Sequence, residues 1–94
     1  QKITLWRQGL TTMGFNVPPG ITPIIPIIIG ETNLSVQFSK LLLEHGIFAP
    51  AIRPPSVPEG TSRIRTTITA KHTPKQLQNA LQVFHFAGKK LGII

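Results

Sequence analysis

The sequence predicts an α+β domain in which a small, largely antiparallel sheet is covered by helices, and three observations carry that expectation. Three stretches repeat apolar residues at helical spacing, two others are β-branched or alternate strictly, and prolines and glycines separate them. In residues 1–13, Ile3, Trp6, Leu10 and Met13 recur at steps of three and four, which puts them on one side of a helix. Gly14 is its C-terminal cap. Residues 15–17 are extended, and Pro18, Pro19 and Gly20 form an irregular link. Residues 24–29 are an apolar, β-branched run that reads as a buried strand, and Pro26, lacking a ladder donor, places it near an edge or at a bulge.

Thr32 or Asn33 caps a second helix in which Leu34, Phe38, Leu41 and Leu42 face inward, ending at His45 and Gly46. Residues 47–52 form a short strand that pairs with the next one, residues 62–69. Thr73 caps a final helix with Pro74 in its first position, where Leu77, Leu81 and Phe84 recur on one side. Residues 88–94 receive no assignment. No internal repeat or low-complexity tract interrupts this order.

Ninety-four residues with 40% hydrophobic content make one domain with a modest core. Without cysteine, the chain offers no disulfide, thiolate metal site or thiol nucleophile. The apolar run at 24–29 is broken by Pro26 and is too short to cross a bilayer, so no membrane partner is expected. The chain opens at Gln1 without an initiator Met or a signal-peptide pattern, and reads as a fragment or processed product. Its net charge of +7 comes from ten Lys and Arg against Glu31, Glu44 and Glu59, with no Asp. Two readings of that charge stay open. It attracts a polyanion, such as nucleic acid, anionic lipid, a phosphorylated cofactor or an acidic protein, or it belongs to a fragment separated from an acidic counterpart.

His45, His72 and His85 match no metal-ligand spacing and read as structural, His45 as a cation at a helix C-terminus. Scattered Glu residues give no paired-carboxylate site, so no catalytic residue is assigned within the chain. Residues 52–73 are different. Arg53 opens a loop stiffened by Pro54, Pro55 and Pro58, Gly60 turns it, and the strand that follows sets Ile64 and Ile68 on one side and Arg63, Arg65, Thr67 and Thr69 on the other. Arg53 and Arg65 are planar forks on rigid supports, suited to gripping a carboxylate. The alternative is that such arginines face solvent or pair with acids of a neighbouring domain.

From TPIIPIIIG at 22–30 through LLLEHGIFAPAIRPPSVPEGTSRIRTTITAKHT, ending at Thr73, the sequence closely resembles the C-terminal part of the pyridoxal-phosphate-dependent α-oxoamine synthases. The Ile-Arg-Pro-Pro version at 52–55 looks most like the oxononanoate-synthase branch, and a looser likeness extends over residues 1–16 and the last helix. The resemblance implies that residues 1–94 are the single small C-terminal domain of a fold-type I pyridoxal-phosphate enzyme. It implies an acyltransferase that condenses L-alanine with a pimeloyl thioester, with decarboxylation, to 8-amino-7-oxononanoate in biotin synthesis. The thioester is carried on coenzyme A or a carrier protein. Arg65 matches the arginine that holds the amino-acid carboxylate, Arg53 the loop arginine that engages it during reaction, and Ser56 a substrate-contact position where relatives usually carry Thr.

The family's Schiff-base lysine, pyridine-pairing acid, ring-stacking histidine and phosphate ligands belong to the larger, preceding domain and map nowhere here. The resemblance therefore implies a full-length cytoplasmic homodimer that binds pyridoxal phosphate, and a fragment that alone binds none and is inactive. Alternatives are another α-oxoamine synthase of the aminoketobutyrate ligase type, or a small basic module binding RNA or a carrier protein. Nucleic acid is not expected, because Arg63, Arg65 and Thr67 have no aromatic partner on their face.

Overall fold

The structure, a computed structural model, describes residues 2–20 and 22–94. The elements run α1 (Lys2–Met13), β1 (Ile24–Gly30), α2 (Thr32–Glu44), β2 (Ala51–Ile52), β3 (Ser62–Thr67) and α3 (Pro74–Lys90). Gln1, the first residue of the expected opening helix, lies outside the described residues. The sheet order is β1-β3-β2, with β3 central and antiparallel to both neighbours. Helix α2 lies against all three strands, and α3 packs on both α1 and α2. The helices cover one face of the sheet, giving the expected α+β arrangement.

Four aromatic rings join the helices. Trp6 of α1 meets Phe84 of α3 edge-on at 5.1 Å, Phe84 meets Phe38 of α2 edge-on at 5.8 Å, and Phe15 stacks on Phe38 at 5.7 Å. Edge-to-face and offset contacts of this kind add to the area term of burial. Ile25, Ile27 and Ile64 complete the core from the sheet. In α1, Trp6 and Leu10 are buried as their spacing predicts, while Ile3 and Met13 are half-buried.

Pro26 behaves as its chemistry requires. Ile28, two residues on, donates its N–H outward to Asn16 O at 2.9 Å, so the donor that Pro26 lacks belongs to the outer edge and no β3 bond is lost. The register shifts between Ile28 and Gly30, which places a bulge at the end of the same strand.

Several boundaries differ from the sequence reading. Glu31, rather than Thr32 or Asn33, caps α2: its carboxylate accepts from the N–H groups of Asn33 at 2.9 Å and Leu34 at 3.0 Å. The Thr32 hydroxyl is occupied elsewhere, 2.9 Å from Ser62 Oγ. Ser35, in phase with Phe38 and Leu42, takes the buried position, and Leu34 is only half-buried. Strand β2 is two residues long because the chain leaving α2 is committed first: Ile47 N–H returns to Leu42 O and Ser39 Oγ donates to Ala49 O at 2.6 Å. Strand β3 stops at Thr67, after which Ile68 N–H bonds Pro23 O and Thr69 N–H bonds His72 Nδ1.

Helix α3 begins with the complete Thr73/Gln76 capping box, with Pro74 in the first turn. Its end explains the unassigned tail. Gly92, at φ 74°, donates to Lys89 O, and Ile93 donates to Gly88 O at 2.8 Å, the paired bonds that close a helix with a left-handed residue. The same pairing ends α2 at Gly46.

Gly88 sits where α3 passes the stacked ring of Phe15. A Cβ there would lie 2.7 Å from Phe15 Cζ and 3.0 Å from Ile94 Cγ1. Alanine gains about 1 kcal/mol of helix propensity over glycine, whereas overpacking a well-filled core costs about 1–3 kcal/mol. Gly88→Ala is therefore expected to lower the urea midpoint. A raised midpoint would show that Phe15 moves aside freely.

Candidate functional site

Among the described residues no helix covers the second face of the sheet, and period-two alternation decides what it displays. In β3, Ser62, Ile64 and Thr66 are buried against the helices, so Arg63, Arg65 and Thr67 point the other way. Cross-strand partners share a face, which adds Ile28 opposite Arg63, Pro26 opposite Arg65, Ile24 opposite Thr67, and Ile52 on the other side of Arg63. Ile24 remains half exposed.

The two strand arginines are not equivalent. Arg63 is half-buried between Ile28 and Ile52, and its Nε donates to Thr61 O at 3.0 Å. Arg65 is exposed, and its guanidinium makes no hydrogen bond or ion pair among the described residues. Its backbone is nevertheless fixed. The Arg65 N–H donates to Pro50 O at 3.0 Å, and Pro26 is its partner on β1. Prolines flank it on both sides and offer no side-chain acceptor, so the fork is anchored at its root and unpaired at its tip.

Trp6 supports this position from beneath. Its Nε1 donates to Thr66 Oγ1 at 3.0 Å, and Thr66 Oγ1 donates to Ile25 O at 2.7 Å. This buried relay ties α1, β3 and β1 together at the residue next to Arg65. The sequence reading placed Ile64 and Ile68 inward and passed over Ser62 and Thr66, which share their parity and are buried with them. The alternation was the available signal; the polarity of Ser and Thr hid it.

Arg53 follows β2 directly. Its carbonyl accepts from Ser56 N–H at 3.1 Å across a turn containing the cis Pro54–Pro55 bond, and Pro58 O accepts both the N–H and the hydroxyl of Thr61. Arg53 and Ser56 are exposed. Arg53 lines a groove beside α2 that does not include Arg65, so the structure does not bring the two guanidinium groups into one pocket. Ser56 is joined to Arg53 through the turn and to Arg65 only through the strand that follows.

The histidines at helix and turn ends have local partners: His45 Nδ1 lies 3.0 Å from Leu41 O, and His72 Nδ1 accepts from Thr69 N–H. No cluster of metal-ligating side chains occurs among the described residues. The Arg65 guanidinium is unpaired among the described residues, and all six lysines lie outside the strands, in helices or the turn after β3.

The chain belongs to the aminotransferase class I and II family, whose model matches residues 1–84. It is 51% identical over 92 residues to a putative 8-amino-7-oxononanoate synthase of Acetivibrio thermocellus, covering 97% of this chain and 24% of that protein. It is 48% identical over 92 residues to 8-amino-7-oxononanoate synthase 2 of Bacillus subtilis, covering 98% of this chain and 24% of that protein. A serine palmitoyltransferase from S. paucimobilis, solved with a bound PLP-myriocin aldimine, superposes with a TM-score of 0.87 at 32% identity, over 95% of this chain and 23% of that one. The chain thus has the fold of a domain of a fold-type I pyridoxal-phosphate enzyme, and spans about a quarter of the length of the curated relatives it matches.

Thr66→Val keeps shape and removes the hydroxyl, leaving the buried Trp6 N–H without an acceptor. An orphaned buried donor costs about 1–3 kcal/mol. Denaturation followed by the emission of the single tryptophan is expected to show that loss, and an unchanged midpoint would mean the relay contributes nothing.

Proposed function

We propose that this chain is the C-terminal small domain of an 8-amino-7-oxononanoate synthase, supplying the amino-acid carboxylate grip to a site completed by a larger cofactor-binding domain. The observation that carries this reading is the unpaired Arg65 guanidinium on the uncovered face of the central strand. Relatives named for this activity match nearly the whole chain at 42–51% identity, which supports the oxononanoate branch.

Arg65 binds the carboxylate of L-alanine through its guanidinium fork and fixes the bond that breaks on decarboxylation. Pyridoxal phosphate, held by the remainder of the full-length chain, supplies the electron sink for the condensation with a pimeloyl thioester. Arg53 stands off the Arg65 face and reaches the same carboxylate by movement of the 53–61 loop, which also carries the Ser56 hydroxyl toward substrate. The fixed root of Arg65 keeps its place on the strand constant while the loop moves. In this reading the full enzyme is a cytoplasmic homodimer in the route to biotin.

In the full-length enzyme, Arg65→Ala is expected to lower kcat/KM for L-alanine by about 100-fold, the worth of about 3 kcal/mol of charge-assisted bonding. The cofactor absorbance should be unchanged, and unaltered kinetics would remove Arg65 from the site. The isolated chain of residues 1–94 is expected to show neither a cofactor band with added pyridoxal phosphate nor turnover. A band accompanied by product would overturn the division of labour between the domains.

A further inference from the structure

The histidines stand in different hydrogen-bonding states, and the partner of each ring nitrogen decides which. His45 Nδ1 lies 3.0 Å from Leu41 O, and a carbonyl only accepts, so that nitrogen carries a proton. His72 is the reverse. Its Nδ1 lies 3.0 Å from the Thr69 amide nitrogen, whose N–H only donates, so Nδ1 is bare and the neutral ring holds its proton on Nε2. His85 is exposed and makes no hydrogen bond among the described residues.

The ring of His72 closes the turn between β3 and α3. Its own backbone N–H returns to Thr69 O at 3.2 Å, so the two residues are joined twice, once by backbone and once by ring. Ile68 before the turn belongs to the core, and Thr73 after it caps α3. A second proton on the ring would set one N–H against another. The Thr69 hydroxyl, 3.4 Å from Nδ1, is too distant to replace the lost bond. Around the turn, α1 contributes Lys2, whose Nζ donates to Ala70 O at 2.7 Å, the turn itself contributes Lys71, and the first turn of α3 contributes Lys75. The hollow that His72 lines reaches the chain leaving α2 at Gly46, and no other titratable side chain lines it among the described residues.

We infer that His72 is an acid-sensitive latch on the β3–α3 turn, closed while its ring is neutral and opened when the ring is protonated. The bond exists only in the neutral form, so it stabilises the turn at high pH and is lost as pH falls through the range where imidazoles titrate. His45 is indifferent, because its Nδ1–H donates to Leu41 O in both forms. Opening is confined to residues 69–73: the β1–β3 ladder runs to Thr67, and Ile68 N–H keeps its bond to Pro23 O. The latch rests on the turn alone and not on the reaction proposed above.

The test is amide hydrogen exchange in the full-length protein, read on overlapping peptides across residues 66–73, for wild type and His72→Asn. Asparagine sets an oxygen where Nδ1 stands and does not titrate, so it keeps the Thr69 bond across the range. From about pH 8 to about pH 5, Thr69 exchange in wild type relative to His72→Asn is expected to rise about fivefold, the weight of one ordinary hydrogen bond. Taking the ratio cancels the intrinsic pH dependence of exchange, and peptides from β1 should keep a constant ratio. An unchanged ratio at Thr69, or an equal rise in β1, overturns the latch. Ring-nitrogen chemical shifts of histidine-labelled wild type need no variant: at about pH 8 the proton should sit on Nε2 of His72 and on Nδ1 of His45. A proton on His72 Nδ1 at that pH overturns the assignment.

Discussion

The structure depends on β3 being bonded on both sides. A central strand cannot slip by one residue without exchanging its buried and exposed sets, so pairing with β1 and β2 fixes which side chains meet the helices and which meet the open face. Ile64 in the core and Arg65 outside it are two consequences of one register. Within β3 the helices meet Ser62, Ile64 and Thr66, which leaves Arg63, Arg65 and Thr67 on the face that does not pack on them.

The helices reinforce that register from below. The ring cluster of Trp6, Phe15, Phe38 and Phe84 couples all three helices, and the Trp6–Thr66–Ile25 relay extends the coupling into the sheet. The backbone that carries Arg65 is thereby fixed, while its exposed side chain keeps its rotamer freedom. Arg53 illustrates the contrasting arrangement. Its loop is closed by local turns rather than by the core.

The fold was largely legible in the sequence because its signals are local. Helical spacing, the Thr73 cap, Gly14 and Gly46 at helix ends, and Pro26 on an edge strand all act through neighbours in the chain. What escaped was decided by competition at a distance. Glu31 became the α2 cap because Ser62, thirty residues on, engages the Thr32 hydroxyl, and β2 shrank because α2 captured the N–H of Ile47 and the carbonyl of Ala49. At the site, alternation placed Arg65 outward but could not separate it from Arg63. That distinction comes from cross-strand neighbours: Arg63 is hemmed by Ile28 and Ile52 and bonded to Thr61, whereas Arg65 stands between prolines.

The difference between those two arginines is the centre of the account, and equilibrium binding reads it directly. Titrating L-alanine into full-length enzyme carrying Arg65→Ala or Arg63→Ala, followed by the cofactor's absorbance, gives a dissociation constant for each. The account predicts a rise of about 100-fold for Arg65→Ala and less than about threefold for Arg63→Ala. Equal losses in the two variants, or the larger loss in Arg63→Ala, would contradict it.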